Sequence, residues 1–425
     1  MKKCVVIGSG LAGLTSAAYL SLNGFQVEIL EASPKPGGRA YSFKDSETGS
    51  IIDNGQHIMM GCYKETLKFF NLIGARENLI LQDRIKVNFV KENFNLLPLQ
   101  ASGLPYPLNL LSALLNYKAL TFKDRLLFLK FFLSLPFVLE KDIKSLSVYD
   151  WLIEEKQNEN IIKAFWEILA VGALNTNIKK ASAVTFAIIL KEIFFRGNKV
   201  ATIIIPKLGL SETYCKNALS FIEEHNGKIN FGEQVTDIKF SNEMVFEIET
   251  TKRKITEFDF VISAVPLYAL EKMLPEFKSE YNFELTYSSI VSIHIWLKEN
   301  HLDELFYGLI GSPVHWIFNH QEHVTLVISD AGEFVNMSNE EIFNMVATEL
   351  EKYVKIAKDK IISYKVIKEK RATFIPSKEI LNTRPKQRTP LQNFIIAGDW
   401  VNTGLPSTIE SAVKSGRIAA QLIIG

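Results

Sequence analysis

Cysteine is scarce: Cys4, Cys62 and Cys215 are the only three in 425 residues, far apart and in no metal-ligand spacing. That argues against a disulfide scaffold or a zinc site and fits a reducing cytosol. An excess of one charge is also missing. With 48 basic against 47 acidic residues the net charge is +1, so no global field draws nucleic acid. Neither a nucleic-acid partner nor a metal is expected. The seven histidines are scattered, and no Ser/His/Asp nucleophile elbow occurs. No internal repeat or low-complexity segment stands out. No signal peptide is expected either, because the apolar run after Lys2 and Lys3 is interrupted by Gly8, Gly10 and Gly13. The longest uncharged run, Asn93–Tyr117, has the length of a membrane span. However, Pro98, Gly103, Pro105 and Pro107 break it, so it reads as a loop followed by a helix.

What is plentiful is apolar residue, 47% of the chain, and a chain this long predicts two domains rather than one core. The N-terminal stretch reads as strand, glycine turn, helix, strand: Cys4–Ile7, then Gly8-Ser-Gly-Leu-Ala-Gly13, then Leu14–Leu22, then Val27–Leu30 ending at Glu31. A lone GxGxxG is weak, but here it has its required context. Gly8 makes the tight turn, Gly10 lets backbone approach a pyrophosphate, and Gly13 lets helix and strand pack closely. The helix start at Leu11 and Ala12 offers amides and a positive dipole end to phosphates. Glu31 stands where a carboxylate accepts from ribose hydroxyls and disfavours a 2′-phosphate. A second glycine pair with arginine follows, Gly37-Gly38-Arg39. This pattern resembles the FAD-binding flavoproteins of glutathione-reductase type, and within them the amine oxidase and phytoene desaturase superfamily.

That resemblance extends along the chain. A strand at Phe394–Ala397 leads into Gly398-Asp399 and a helix from about Ser407. In the resembling flavoproteins Gly-Asp contacts ribitol and pyrophosphate, and the helix start at Thr408 and Ile409 points at the flavin pyrimidine. A run of alternating strands from Lys228 to Ser263 would close the domain, with the Val235 backbone holding the adenine. The expected architecture is α/β, with a discontinuous Rossmann-like FAD domain (roughly 1–75, 200–270 and 390–425). An inserted α+β substrate domain would come from 76–199, helical and apolar, and from 271–389. The latter carries strands at Ser288–Leu297 and Val314–Asn319 and a helix around Asn339–Tyr353. His294 reads as a satisfied core histidine, and His315 is ambiguous. The apolar segment 103–139 reads equally as a buried helix with snorkelling lysines or as a surface helix resting on a membrane.

Five stretches are more specific: DNGQHIMMGCYKETL, AFWEILAVGALNTNIKKASAVTF, GSPVHWIFN, VIKEKRATF and AGDWVNTGLPSTIESAVKSGRIAA. They resemble the squalene-associated FAD-dependent desaturases, also called hydroxysqualene dehydroxylases. The resemblance implies FAD, a long-chain isoprenoid substrate in an apolar tunnel, and reductive loss of an allylic hydroxyl. It also implies an external electron donor, since no second GxGxxG is visible. It implies a peripheral membrane contact, in the cytoplasm at the inner face of the cytoplasmic membrane. By resemblance IDNGQHIMMGCY lies beside the flavin, with Gly55 and Gly61 allowing turns and Gly55, Gln56 and His57 touching the cofactor. His57 is the candidate proton donor as an imidazolium, Tyr63 is another, and Asp53 either anchors the loop or raises the imidazole pKa. Two alternatives stay open: a carotenoid or phytoene-type desaturase, and a non-enzymatic prenyl-lipid binding protein. An amine oxidase would gain little from so apolar a domain.

Overall fold

The computed structural model of the protein describes residues 1–277 and 284–425. Lys3–Ile7 is a short run buried on both faces, the pattern of a central parallel strand. It pairs in parallel with Gln26–Glu31 on one side and Phe260–Ser263 on the other. Lys228–Phe231 and Phe394–Ile396 form the two edges of this five-stranded sheet. Helices Leu11–Leu22, Lys216–Glu224 and Ile409–Ile424 pack on one face. An antiparallel meander, Val235–Ser241, Met244–Thr250 and Lys254–Ile255, shares a core with the other face. The alternating run from Lys228 to Ser263 therefore divides: its first and last strands join the parallel sheet and the middle three form the meander.

The second sheet has seven strands in the order Ile361–Phe374, Tyr287–Leu297, His323–Ser329, Trp316–Asn319, Phe306–Leu309, Lys86–Lys91 and Asn95–Gln100. All neighbours are antiparallel except Phe306–Leu309 with Lys86–Lys91. Helix Asn339–Val354 covers one face through Ile342, Val346 and Leu350. The other face meets the helical segments 159–174 and 183–194.

Residues 76–199 are less helical than their composition suggests, because Lys86–Lys91 and Asn95–Gln100 are strands. The proline-broken run begins as the edge strand Asn95–Gln100, where Leu97 and Leu99 are buried and their neighbours exposed. Pro98 is tolerated there because an edge strand has one side with no ladder partner to satisfy. Among the described residues no helix is long and apolar enough to cross a membrane.

Candidate active site

The turn after Lys3–Ile7 and the turn at Gly37–Gly38 lie backbone against backbone. The Gly37 N–H donates to the Ser9 carbonyl at 3.0 Å, and a Cβ on Gly38 would stand 3.1 Å from the Gly10 Cα. Gly8, Gly37 and Gly38 have φ of +99°, +109° and +60°, a region side-chain-bearing residues rarely adopt. Gly13 lies behind this wall, where a Cβ would reach within 1.9 Å of the Gly8 carbonyl oxygen. No side chain caps helix Leu11–Leu22, so the Leu11 and Ala12 amides and the dipole's positive end are left for a ligand.

Glu31 accepts from the Ser9 N–H and hydroxyl, both at 2.7 Å, and from the Ser33 N–H at 2.8 Å. A carboxylate offers about four lone-pair sites, so room remains for a ribose hydroxyl. Arg39 donates to the Ala372 carbonyl at 3.1 Å and pairs with Asp399. The Ser407 hydroxyl also donates to Asp399. Burial opposes the Asp399 charge, but the Arg39 cation and these hydrogen bonds outweigh it and hold the carboxyl below its usual range. Thr408 caps helix Ile409–Ile424 through the Ser411 N–H at 3.1 Å.

These elements border one cavity of about 1290 Å³, larger than the roughly 300–1,000 Å³ of a single small-ligand pocket. Gly8, Gly10, Leu11, Ala12 and Glu31 line it, as do Gly37, Gly38 and Arg39. Val235, Gly398, Asp399, Thr408 and Ile409 line it from the meander and the C-terminal segment. Beyond this end the wall becomes hydrocarbon: Phe89, Phe165, Leu169, Ile189, Trp316 and Phe318.

The stretch IDNGQHIMMGCY sits at the junction of the two halves, and its residues divide by direction. Asp53 Oδ1 accepts from the Ser42 hydroxyl at 2.6 Å and from the Leu210 N–H at 2.9 Å. It anchors the loop, and it contributes nothing to the His57 shift. Asn54 accepts from the Tyr41 N–H at 3.1 Å and donates to the Arg39 carbonyl at 2.9 Å, fixing Arg39 from behind. Gly55, Gln56 and His57 line the cavity. Gly55 needs no special φ and a Cβ there would make only ordinary contacts at 3.9 Å, whereas a Cβ on Gly61 would lie 1.9 Å from the Lys199 carbonyl oxygen.

Burial, then the nearby Arg39 cation, pulls the His57 imidazole down to about 4. At neutral pH the ring is neutral, so the expected imidazolium is not its resting form. Desolvation beside a cation is the physical reason. A neutral ring still donates one N–H hydrogen bond. Tyr63 is weakened as an acid as well, because burial, then Cys62 and Glu410, push its phenol far up. His294 is a satisfied core residue, bonded to the Asp53 carbonyl at 3.1 Å and the Thr325 hydroxyl at 2.9 Å. His315 accepts from the Ser329 N–H at 3.2 Å.

The chain matches the family described as flavin containing amine oxidoreductase over residues 11–424. The protein belongs to the flavin-containing amine oxidoreductase family. It is a flavin-dependent oxidoreductase. It is 28% identical to a hydroxysqualene dehydroxylase of Zymomonas mobilis over 99% of this chain and 98% of that one. It is 27% identical to that of Rhodopseudomonas palustris over 100% and 99%. A 15-cis-phytoene desaturase of Glycine max is 26% identical over 99% of this chain and 79% of that one. Among solved structures, an oxidoreductase from Methanosarcina mazei superposes with a TM-score of 0.75 at 18% identity, covering 99% and 100%. Putrescine oxidase bound to putrescine gives 0.73 at 14%, covering 99% of each chain.

The residues present fit the flavin of this family. The paired glycine turns, the uncapped helix start and the remaining capacity of Glu31 form a dinucleotide cradle that side chains would fill. Sequence reasoning missed Ser9, Asn54 and Ser407, whose polar atoms hold Glu31, Arg39 and Asp399. It also missed Glu410, whose carboxylate accepts from the Glu65 and Thr66 amides at 2.9 Å each. That carboxylate caps helix Lys64–Leu72, which has no side-chain cap of its own.

Proposed function

We propose that the protein binds FAD and, with the cofactor reduced, replaces the allylic hydroxyl of hydroxysqualene by hydrogen to give squalene. One observation carries this reading: a dinucleotide cradle opens into a hydrocarbon-lined chamber in a chain that aligns end to end with relatives of that name. Gly8, Gly10, Gly37 and Gly38 would receive the pyrophosphate, Glu31 a ribose, and the backbone about Val235 the adenine. The start of helix Ile409–Ile424 would face the electron-rich end of the flavin ring. Bound and reduced, FAD supplies hydride, and an external two-electron donor restores it. The C–O bond would break with its electron pair on oxygen, which takes a proton of solvent origin and leaves as water. The hydride closes the new C–H bond. The chain's own tasks are to exclude water from the chamber, to hold the chain of carbons in register, and to offer a hydrogen bond to the departing oxygen from neutral His57.

The relatives named phytoene desaturase favour a second reading, in which hydride moves the other way, from hydrocarbon to oxidised flavin. Flavin-loaded protein incubated anaerobically with hydroxysqualene and a reductant, and separately with phytoene, distinguishes the two by product analysis. Squalene is expected from the first incubation. Desaturated product from phytoene with no squalene from the alcohol would reverse the assignment.

A substrate of this class partitions into bilayers, which supports a peripheral place on the inner face of the cytoplasmic membrane. Segment 103–139 supports it with apolar side chains in solvent: Leu104, Leu108, Leu115, Phe122, Leu133 and Phe137 are all exposed. The segment abuts the chamber wall, since Phe132 packs on Phe194 at 5.4 Å between ring centres and the Tyr106 hydroxyl donates to the Phe194 carbonyl at 2.8 Å.

A further inference from the structure

A row of residues runs across one face of the seven-stranded sheet, and three of them, Val327, Trp316 and Phe89, line the chamber. Ser292, Val327, Trp316, Gly308, Phe89 and Leu97 are successive register partners on neighbouring strands. Directly opposed residues share a face of the sheet, and strands lie about 4.8 Å apart. The Ser292 end touches the cofactor-side junction: a Cβ on Gly55 would stand 3.9 Å from Ser292 Oγ and 3.9 Å from His57 Nε2. Trp316 lies two strands on, roughly 10 Å away by that spacing. Val327 and then Trp316 are the next residues of the row, and both line the chamber beyond that end.

Trp316 is seated by two glycines. A Cβ on Gly172 would come within 3.3 Å of its Nε1, and one on Gly308 within 3.2 Å of its Cζ3 and 2.8 Å of Phe89 Cδ1. Neither glycine has positive φ, so backbone conformation does not require them; space does. Glycine inside a helix or strand costs about 0.5–1 kcal/mol against alanine, and here both glycines contact one ring. Phe89 and Phe306 flank the ring at 6.4 and 6.1 Å between centres. The indole borders the hydrocarbon-lined part of the chamber.

The geometry points to Trp316 as the residue that faces positive charge developing on the substrate's allylic carbons, with Gly172 and Gly308 holding the indole in place. This rests on the reading above, in which C–O cleavage leaves an allylic cation until hydride arrives. An aromatic face attracts a cation electrostatically, tryptophan most strongly, and more so when both are desolvated. Aliphatic side chains of similar size would bind the same hydrocarbon but offer no such attraction. The residue therefore acts on the charged state and not on the neutral alcohol, which separates kcat from binding.

The test compares Trp316→Leu, Trp316→Phe and Gly172→Ala as flavin-loaded proteins. Binding of hydroxysqualene to the oxidised holoprotein, where no turnover occurs, is read from perturbation of the flavin spectrum. Turnover and product ratio are read with a reductant. Trp316→Leu is expected to bind within about threefold of wild type and to turn over about 30-fold slower, which is about 2 kcal/mol. Proton-loss dienes should also rise relative to squalene. Trp316→Phe should recover most of the rate, and Gly172→Ala, which keeps the indole but displaces it, should lose part of it. A Trp316→Leu enzyme with unchanged turnover, or one whose turnover loss equals its binding loss, overturns the inference alone. Wild-type protein inert toward the alcohol removes the functional reading and the inference together.

Discussion

Arg39 and Asp399, 360 residues apart in sequence, form an ion pair at the glycine-turn end of the chamber. The Asp399 side chain is 6% exposed and that of Arg39 33%. Removing Asp399 leaves a partly exposed cation uncompensated, a cost between that of an exposed pair and that of a fully buried one, about 1–3 kcal/mol. Asp399→Ala is therefore expected to lower stability by an amount in that range and to strip flavin from the purified protein. Asp399→Asn, which keeps one acceptor oxygen, should be milder. Urea unfolding and the flavin-to-protein absorbance ratio measure both. An Asp399→Ala protein with wild-type stability and full flavin would contradict the role given to the pair.

Asp53 is expected to make the stability of the folded state pH-dependent. Burial pushes its carboxyl up to about 6 from 3.8, against hydrogen bonds from Ser42 and the Leu210 amide, with the Glu212 charge adding to the rise. The folded chain then binds more protons than the unfolded chain between those values. Stability falls as pH rises through this window, by on the order of 3 kcal/mol at 1.36 kcal/mol per unit. Both hydrogen bonds go to Oδ1, which asparagine retains. Asp53→Asn should lack this slope and be more stable than wild type at pH 7. Unfolding curves at pH 4.5 and 7 for both proteins decide it, and equal slopes would refute it.

The parts of the site legible in the sequence are those set by local backbone geometry. Gly8 to Gly13 and Gly37 to Arg39 each fold within a few residues, so their spacing alone predicts the turns. Phe89 and Trp316 were not legible as neighbours, because a register across Gly308 is fixed by strands more than two hundred residues apart. Glu410 reads locally as the first turn of its own helix, yet its carboxylate serves another helix 344 residues earlier. The charge state of His57 was hidden for the same reason: an imidazole's ordinary value suggests a switch near neutrality, and only burial beside Arg39 removes it. Composition misled at Asn95–Gln100, where prolines suggested a loop and the alternation of Leu97 and Leu99 was the better signal.

Gly416 sets the crossing of the first and last helices. A Cβ there would lie 2.2 Å from the Ala12 carbonyl oxygen and 3.1 Å from Thr15 Cβ. Gly416→Ala is expected to destabilise the protein by about 1–3 kcal/mol through overpacking. Because Ala12 belongs to the helix start at the cradle, flavin occupancy should fall with it. Gly332→Ala is the control, since nothing stands within 4 Å of the added atom and φ is not positive. Thermal unfolding of the two variants should separate them; equal midpoints would show that the helices yield without cost.

Phe122 and Phe137 are 71% and 82% exposed, while Phe128 and Phe131 in the same segment are 1% exposed each. The buried pair holds the fold: Phe128 stacks on Trp166 at 4.5 Å between ring centres, and Phe131 meets Trp151 edge-on at 5.1 Å. The exposed pair has no such task, so Phe122→Ser with Phe137→Ser should leave stability within about 0.5 kcal/mol of wild type. If the segment rests on lipid, each phenylalanine contributes roughly 1.5–3 kcal/mol to partitioning when fully buried. The double variant should then bind vesicles at least about tenfold more weakly. Lys123 and Lys130 lie on the same helix, so anionic vesicles should retain the wild type better than neutral ones, and salt should weaken that preference. Flotation of wild type and variant on both vesicle types reads all three effects. Wild-type protein left at the bottom of the gradient, or a double variant that floats equally well, would leave the exposed phenylalanines without this role.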